Sequence, residues 1–102
     1  MMGVTSMDPL QHRWQGFKKT PFPEAFAGRK VDGIDLAEVH GAATGCIDAF
    51  FEKESLDPSQ MEVLTRSMLN LRRALPDLEG DAMLYFEELM ALIEAVLRQC
   101  RH

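Results

Sequence analysis

His40 and Cys46 are the first pair of residues whose types suggest chemistry, and their spacing works against it. Six positions along a helix put them about 120° apart, so the pair does not chelate a metal by itself. Cys46 lies between Gly45 and Ile47 in an apolar helical pattern, where a thiol behaves as a small core residue with a raised pKa. Cys100 stands among Arg98, Arg101 and His102, a more electropositive setting, but the C-terminal end of a helix disfavours a thiolate. His12 and His102 are isolated. Cys-x-x-Cys spacings and Glu-x-x-His motifs are absent, which leaves zinc and di-iron sites without their usual ligand sets. Asp32, Asp35 and Glu38 are candidate oxygen ligands, yet the alternating positions of a calcium loop, its sixth glycine and twelfth glutamate are not met. A turn followed by a helix cap accounts for the same residues. Glycine-rich phosphate loops are also missing. The expectation is a protein with no catalytic residues, no cofactor and no metal site.

A different kind of signal comes from Gly41, Gly45 and Ala49, four residues apart on one side of a helix whose bulky residues Leu36, Val39, Ile47 and Phe50 lie about 120–180° away. Glycine inside a helix costs roughly 1 kcal/mol relative to alanine, so two in register imply a close approach. The favoured expectation is that Trp14 or Phe22 from the N-terminal segment packs on this strip. The competing one is a helix-to-helix contact between two copies. Arg66, Arg72 and Arg73 add a basic cluster in which Arg72 borders an apolar stripe. Surface salt bridges are the simpler reading of that cluster, and an anion or acidic-peptide contact the sharper one.

The elements that must position these residues are helical. Asp35 as cap and Glu38 three residues on open a pattern of Leu36, Val39, Ala43, Cys46, Ile47 and Phe50 at spacings of three and four, predicting a helix over 36–54. Asp57, Pro58 and Gln60 start a second, whose stripe Met61, Leu64, Met68, Leu71 and Leu75 ends before Pro76. The short break Pro76–Gly80 predicts a third helix, 81–100, antiparallel to the second. Its residues Ala82, Met83, Tyr85, Phe86, Leu89, Met90, Leu92, Ile93, Val96, Leu97 and Cys100 cover about half its circumference. A face that broad makes it the expected centre of the domain, flanked by the other two.

Before Asp35 the chain reads as an arm. Pro21, Pro23 and the residues preceding them disfavour helix between Trp14 and Gly33, with an extended stretch at Lys30 to Val31. A short helix over 9–14 is opened by Asp8 and Pro9. Trp14, Phe17, Phe22 and Phe26 carry too much apolar surface to stay in water, so the arm must dock.

The 102 residues, 46% hydrophobic and 26% charged, suit one domain, here read as an arm over 1–34 and a helical core over 35–102. The formal charge is −5 overall, but residues 1–30 carry +3 and residues 31–102 carry −8. A basic arm on an acidic body is expected to lie on that body. Contact with nucleic acid is the lesser alternative, because the body repels the polyanion that attracts the arm. The longest uncharged run, Val39 to Ile47, is too short to span a bilayer, and no basic cluster followed by an apolar stretch opens the chain. A cytoplasmic protein with free thiols is expected.

The stretches VDGIDLAEVHGAATGCI and LRRALPDLEGDAMLYFEELMALIEAVL resemble a group of small all-helical bacterial proteins. In these, a VDG-x-DL segment leads into a helix, and a Leu-Pro-x-Leu-x-Gly break precedes a helix containing Tyr-Phe. The resemblance implies an all-α bacterial domain and brings neither an activity nor site residues with it. Together these readings predict an all-α, three-helix antiparallel core with an ordered arm and a fourth short helix. Its expected role is a non-catalytic module that self-associates or binds a protein partner through Gly41, Gly45, Ala49, Trp14, Phe22 and Arg72. The rival is a small-molecule pocket, or a minor enzyme, lined by His40, Tyr85 and Cys46.

Overall fold

The computed structural model describes residues 9–100, and within them the fold is all-α. Helix α1 spans Pro9–Lys18, α2 Leu36–Lys53, α3 Pro58–Ala74 and α4 Gly80–Cys100. Between α1 and α2 lie a single 3-10 turn, Glu24–Phe26, and two short strands, β1 (Lys30–Val31) and β2 (Ile34–Asp35). The expected cap at Asp8 falls outside the described residues.

Local chemistry explains each boundary. β1 and β2 pair antiparallel, Val31 against Ile34. The two residues between them, Asp32 (φ 54°) and Gly33 (φ 76°), both have positive φ, the requirement of a tight two-residue hairpin. Asp35 then caps α2 by accepting from the backbone N–H of Ala37 and Glu38. Glu54 closes that helix in the left-handed region (φ 59°), its N–H returning to the Phe50 carbonyl at 2.6 Å. Asp57 and Gln60 form a complete reciprocal capping box at the start of α3, with Pro58 at its first position. Pro76 ends α3 in a 3-10 turn, Leu75–Asp77.

α1 runs to Lys18, four residues beyond the expected end at Trp14. The prolines that break helix begin only at Pro21, and the apolar spacing Leu10, Trp14, Phe17 holds one face of α1 against the body. These three side chains are buried with Val31, Ile34 and the apolar faces of α2, α3 and α4 in one cluster. The centre also differs from expectation. α4 supplies the most buried side chains and touches the other three helices, but α3 packs most extensively on both α2 and α4, while α2 and α4 meet over a shorter stretch. Two broad apolar faces, on α2 and α4, are thus filled from a narrow one on α3.

Candidate aromatic groove at the arm

Asp48 anchors the arm. Trp14, only 1% exposed, donates its Nε1–H to Asp48 Oδ1 at 2.9 Å, and the Lys18 ammonium reaches the same oxygen at 2.9 Å. Positions 14 and 18 are four apart and share a face of α1, and Lys18 also sits 5.8 Å above the Trp14 ring. On another side of α1, Arg13 makes a two-pronged contact with Glu88 of α4, at 3.1 and 2.8 Å, which raises the pKa of the guanidinium further. The basic arm therefore spends two of its cations on its own acidic body.

Phe17 continues inward from Trp14, its ring 5.7 Å from the indole and 4.6 Å from Tyr85. Phe22 closes the set from the 20–24 connection, edge-on to His40 (5.0 Å), Tyr85 (6.1 Å) and Phe86 (5.8 Å). Among these rings His40 Nε2 and Tyr85 Oη share a hydrogen bond of 2.8 Å. Burial pushes the imidazole pKa down and the phenol pKa up, so both groups are held neutral near pH 7. His40, on α2, and Tyr85, on α4, are the two rival-site residues that the structure brings together.

Cys46 does not join them. Its thiol is buried and its pKa is raised, by desolvation first and by the charge of Asp57 second. Desolvation likewise raises Cys100, which is half-buried. Both are free thiols without activation. Asp32 pairs with Arg73 and Asp35 caps α2. No cluster of three or more groups able to hold a metal ion occurs among the described residues. His12 is exposed on α1, and His102 lies outside the described residues.

Two depressions adjoin the aromatic cluster. The smaller, about 350 Å³, runs from Phe22 and His40 to Thr44 and Asp48. The larger, about 1110 Å³, is bounded by Arg13, Gly16 and Phe17 of α1, the 20–24 connection, and Asp81, Leu84, Tyr85 and Glu88 of α4. Most of that boundary is exposed, so it is an open groove rather than an enclosed cavity. Leu84 stands in it 59% exposed. A methyl group placed on Gly16 would meet no atom within 4 Å, so the groove wall at α1 is cut back beyond what the fold requires.

Trp14 and Phe22 do not cover Gly41 and Gly45. Both glycines are exposed, and a methyl on either would meet nothing within 4 Å. The rings have other partners: the Trp14 N–H bonds to Asp48, and Phe22 packs edge-on to His40 and Tyr85. Arg72 is exposed and approaches Glu94 of α4 at 3.7 Å, the surface pairing expected of it. Asp48 and Leu84 escaped the sequence reading. A weak signal existed for Leu84, since it falls outside the apolar arc of its helix.

Comparison with protein-family models, with curated proteins and with solved structures gave no match. No described helix is long and apolar enough to cross a membrane.

Proposed function

We propose that this chain is a non-catalytic helical interaction module that receives a protein partner in the groove between α1, the 20–24 connection and α4. One observation carries the reading: Leu84, 59% exposed, stands in a concave surface instead of on a convex one, where a lone exposed leucine needs no explanation. Phe22 and Pro21 extend the apolar floor beside it. A second copy of the chain is another candidate partner, at Gly41, Gly45 and Ala49, since nothing among the described residues requires the two glycines to be small. The two free thiols suit a reducing cytoplasm. The bacterial origin implied by the resemblance belongs to the same proposal.

Affinity capture from a host lysate with wild type, Leu84→Glu and Leu69→Glu tests the reading. Leu69 is the other exposed large hydrophobic residue among the described residues, 48% exposed on α3, and serves as the control. A protein retained by wild type and Leu69→Glu but lost with Leu84→Glu supports the groove. The same set retained by all three overturns it.

The second reading is a small-molecule site, favoured by the His40–Tyr85 hydrogen bond beside the smaller depression. Its neutral polar pair could orient a ligand carrying both a donor and an acceptor. A saturable perturbation of the His40 ring signals by such a ligand, absent in Tyr85→Phe, would favour this reading.

A further inference from the structure

The groove is apolar at its floor and acidic at its edge. Of the charged residues that bound it, three are carboxylates, Glu24, Asp81 and Glu88, and one is a cation, Arg13. Arg13 is already satisfied by both oxygens of Glu88. Glu24 and Asp81 have no ion-pair partner among the described residues, and they stand at the two sides of the groove, one on the 20–24 connection and the other on the first turn of α4. A partner that fills the groove with apolar side chains meets two carboxylates that no described cation pairs, Asp81 being offset only by the N-terminal end of the α4 dipole. That arrangement disfavours a nucleic acid or an anionic membrane surface and rewards a cation flanking an apolar anchor.

The dimensions narrow the occupant further. Along α4 the groove runs from Asp81 to Glu88, about two helical turns, and along α1 from Arg13 to Phe17, a little over one. Gly16 keeps the α1 wall low where a side chain would otherwise project.

Resting on the interaction reading above, we propose that the groove between α1, the 20–24 connection and α4 binds the apolar face of a lysine- or arginine-rich amphipathic helix of a partner protein. Leucine-like side chains of that helix, spaced at three and four residues, lie on Leu84, Phe22 and Pro21. Its cations meet Glu24 and Asp81.

Three designed peptides test this. They share one leucine spacing and carry lysine, glutamine or glutamate at every polar position, and binding to the full chain is followed by amide chemical-shift mapping and fluorescence anisotropy. The lysine peptide is expected to shift the amides of Gly16, Phe22 and Leu84. It should bind about tenfold more weakly to the double variant Glu24→Lys/Asp81→Lys, two surface charge contacts together. Glu62→Lys, an exposed acid on α3 outside the groove, should leave its affinity unchanged. Gly16→Leu should abolish the shifts while circular dichroism keeps the helical signal.

Equal binding of the glutamine peptide at the same amides overturns the charge selection and leaves the interaction reading standing. Equal weakening by Glu62→Lys, shifts scattered over the surface, or no binding of the lysine peptide overturns the proposal. The lysate comparison with Leu84→Glu is read independently of all three peptides.

Discussion

Trp14 Nε1 and Asp48 Oδ1 meet at 2.9 Å, and the same carboxylate oxygen takes the Lys18 ammonium. One acid on α2 thus holds both the largest apolar side chain of the arm and one of its cations.

Asp48→Ala is therefore expected to destabilise the fold by about 1–3 kcal/mol, because it leaves the buried indole N–H without an acceptor. Asp48→Asn keeps an acceptor and loses only the charge, so its cost should be the smaller. Trp14 is the sole tryptophan, so urea denaturation followed by its fluorescence measures both. Equal stability of Asp48→Ala and wild type would mean that packing and the Arg13–Glu88 pair suffice to hold the arm.

Tyr85→Phe removes the hydroxyl and strands His40 Nε2 in its aromatic surroundings. A loss of about 1 kcal/mol is expected, the usual contribution of one net hydrogen bond. The double variant His40→Phe/Tyr85→Phe should recover part of that loss, since it removes both partners. Chemical denaturation of the single and double variants gives the coupling.

The lowered pKa of His40 makes stability depend on pH in a defined direction. Above the unfolded value, about 6.5, the ring is neutral in both states and contributes no slope. As pH falls below it, the unfolded chain takes up the proton first, so stability falls until the folded-state pKa is passed. Between pH 7.5 and 5.5 the urea midpoint of wild type should decline more than that of His40→Gln. A parallel decline in the two would place the titration elsewhere.

Gly41→Ala and Gly45→Ala add a methyl that meets nothing within 4 Å. Each should raise the stability of the protomer by about 0.5–1 kcal/mol through helix propensity. If two copies associate over this strip, the same substitutions weaken the dimer. Thermal melts together with sedimentation velocity on each variant separate the two effects.

Glu54 holds a left-handed conformation (φ 59°) at the end of α2, which costs an L residue roughly 1–2 kcal/mol relative to glycine. Glu54→Gly is expected to recover about 1 kcal/mol of that, net of the added freedom of the unfolded chain. Differential scanning calorimetry should show a higher transition temperature; a lower one would contradict the cap geometry.

Helix positions were legible in the sequence because their determinants are local. The Asp35 cap, the Asp57–Pro58–Gln60 start of α3 and the stop at Pro76 are set by hydrogen bonds and ring sterics within a few residues. The apolar spacings of α2, α3 and α4 likewise follow from helix geometry alone. The sequence also signalled that Trp14, Phe17 and Phe22 must be covered, because burial of large rings is favourable wherever it occurs. The destination of those rings was decided only by the tertiary structure. Asp48 and Gly45 lie three residues apart on one helix, and a pattern of residue sizes points to the glycine, whereas the indole N–H needs the acid. His40 and Tyr85, 45 residues apart, were separate polar anomalies until α2 and α4 set their hydrogen bond at 2.8 Å. Leu84 became part of a groove when α1 and the 20–24 connection rose beside α4. Hydrogen-bond direction and concavity depend on distances between elements, and only the packed core fixes those distances.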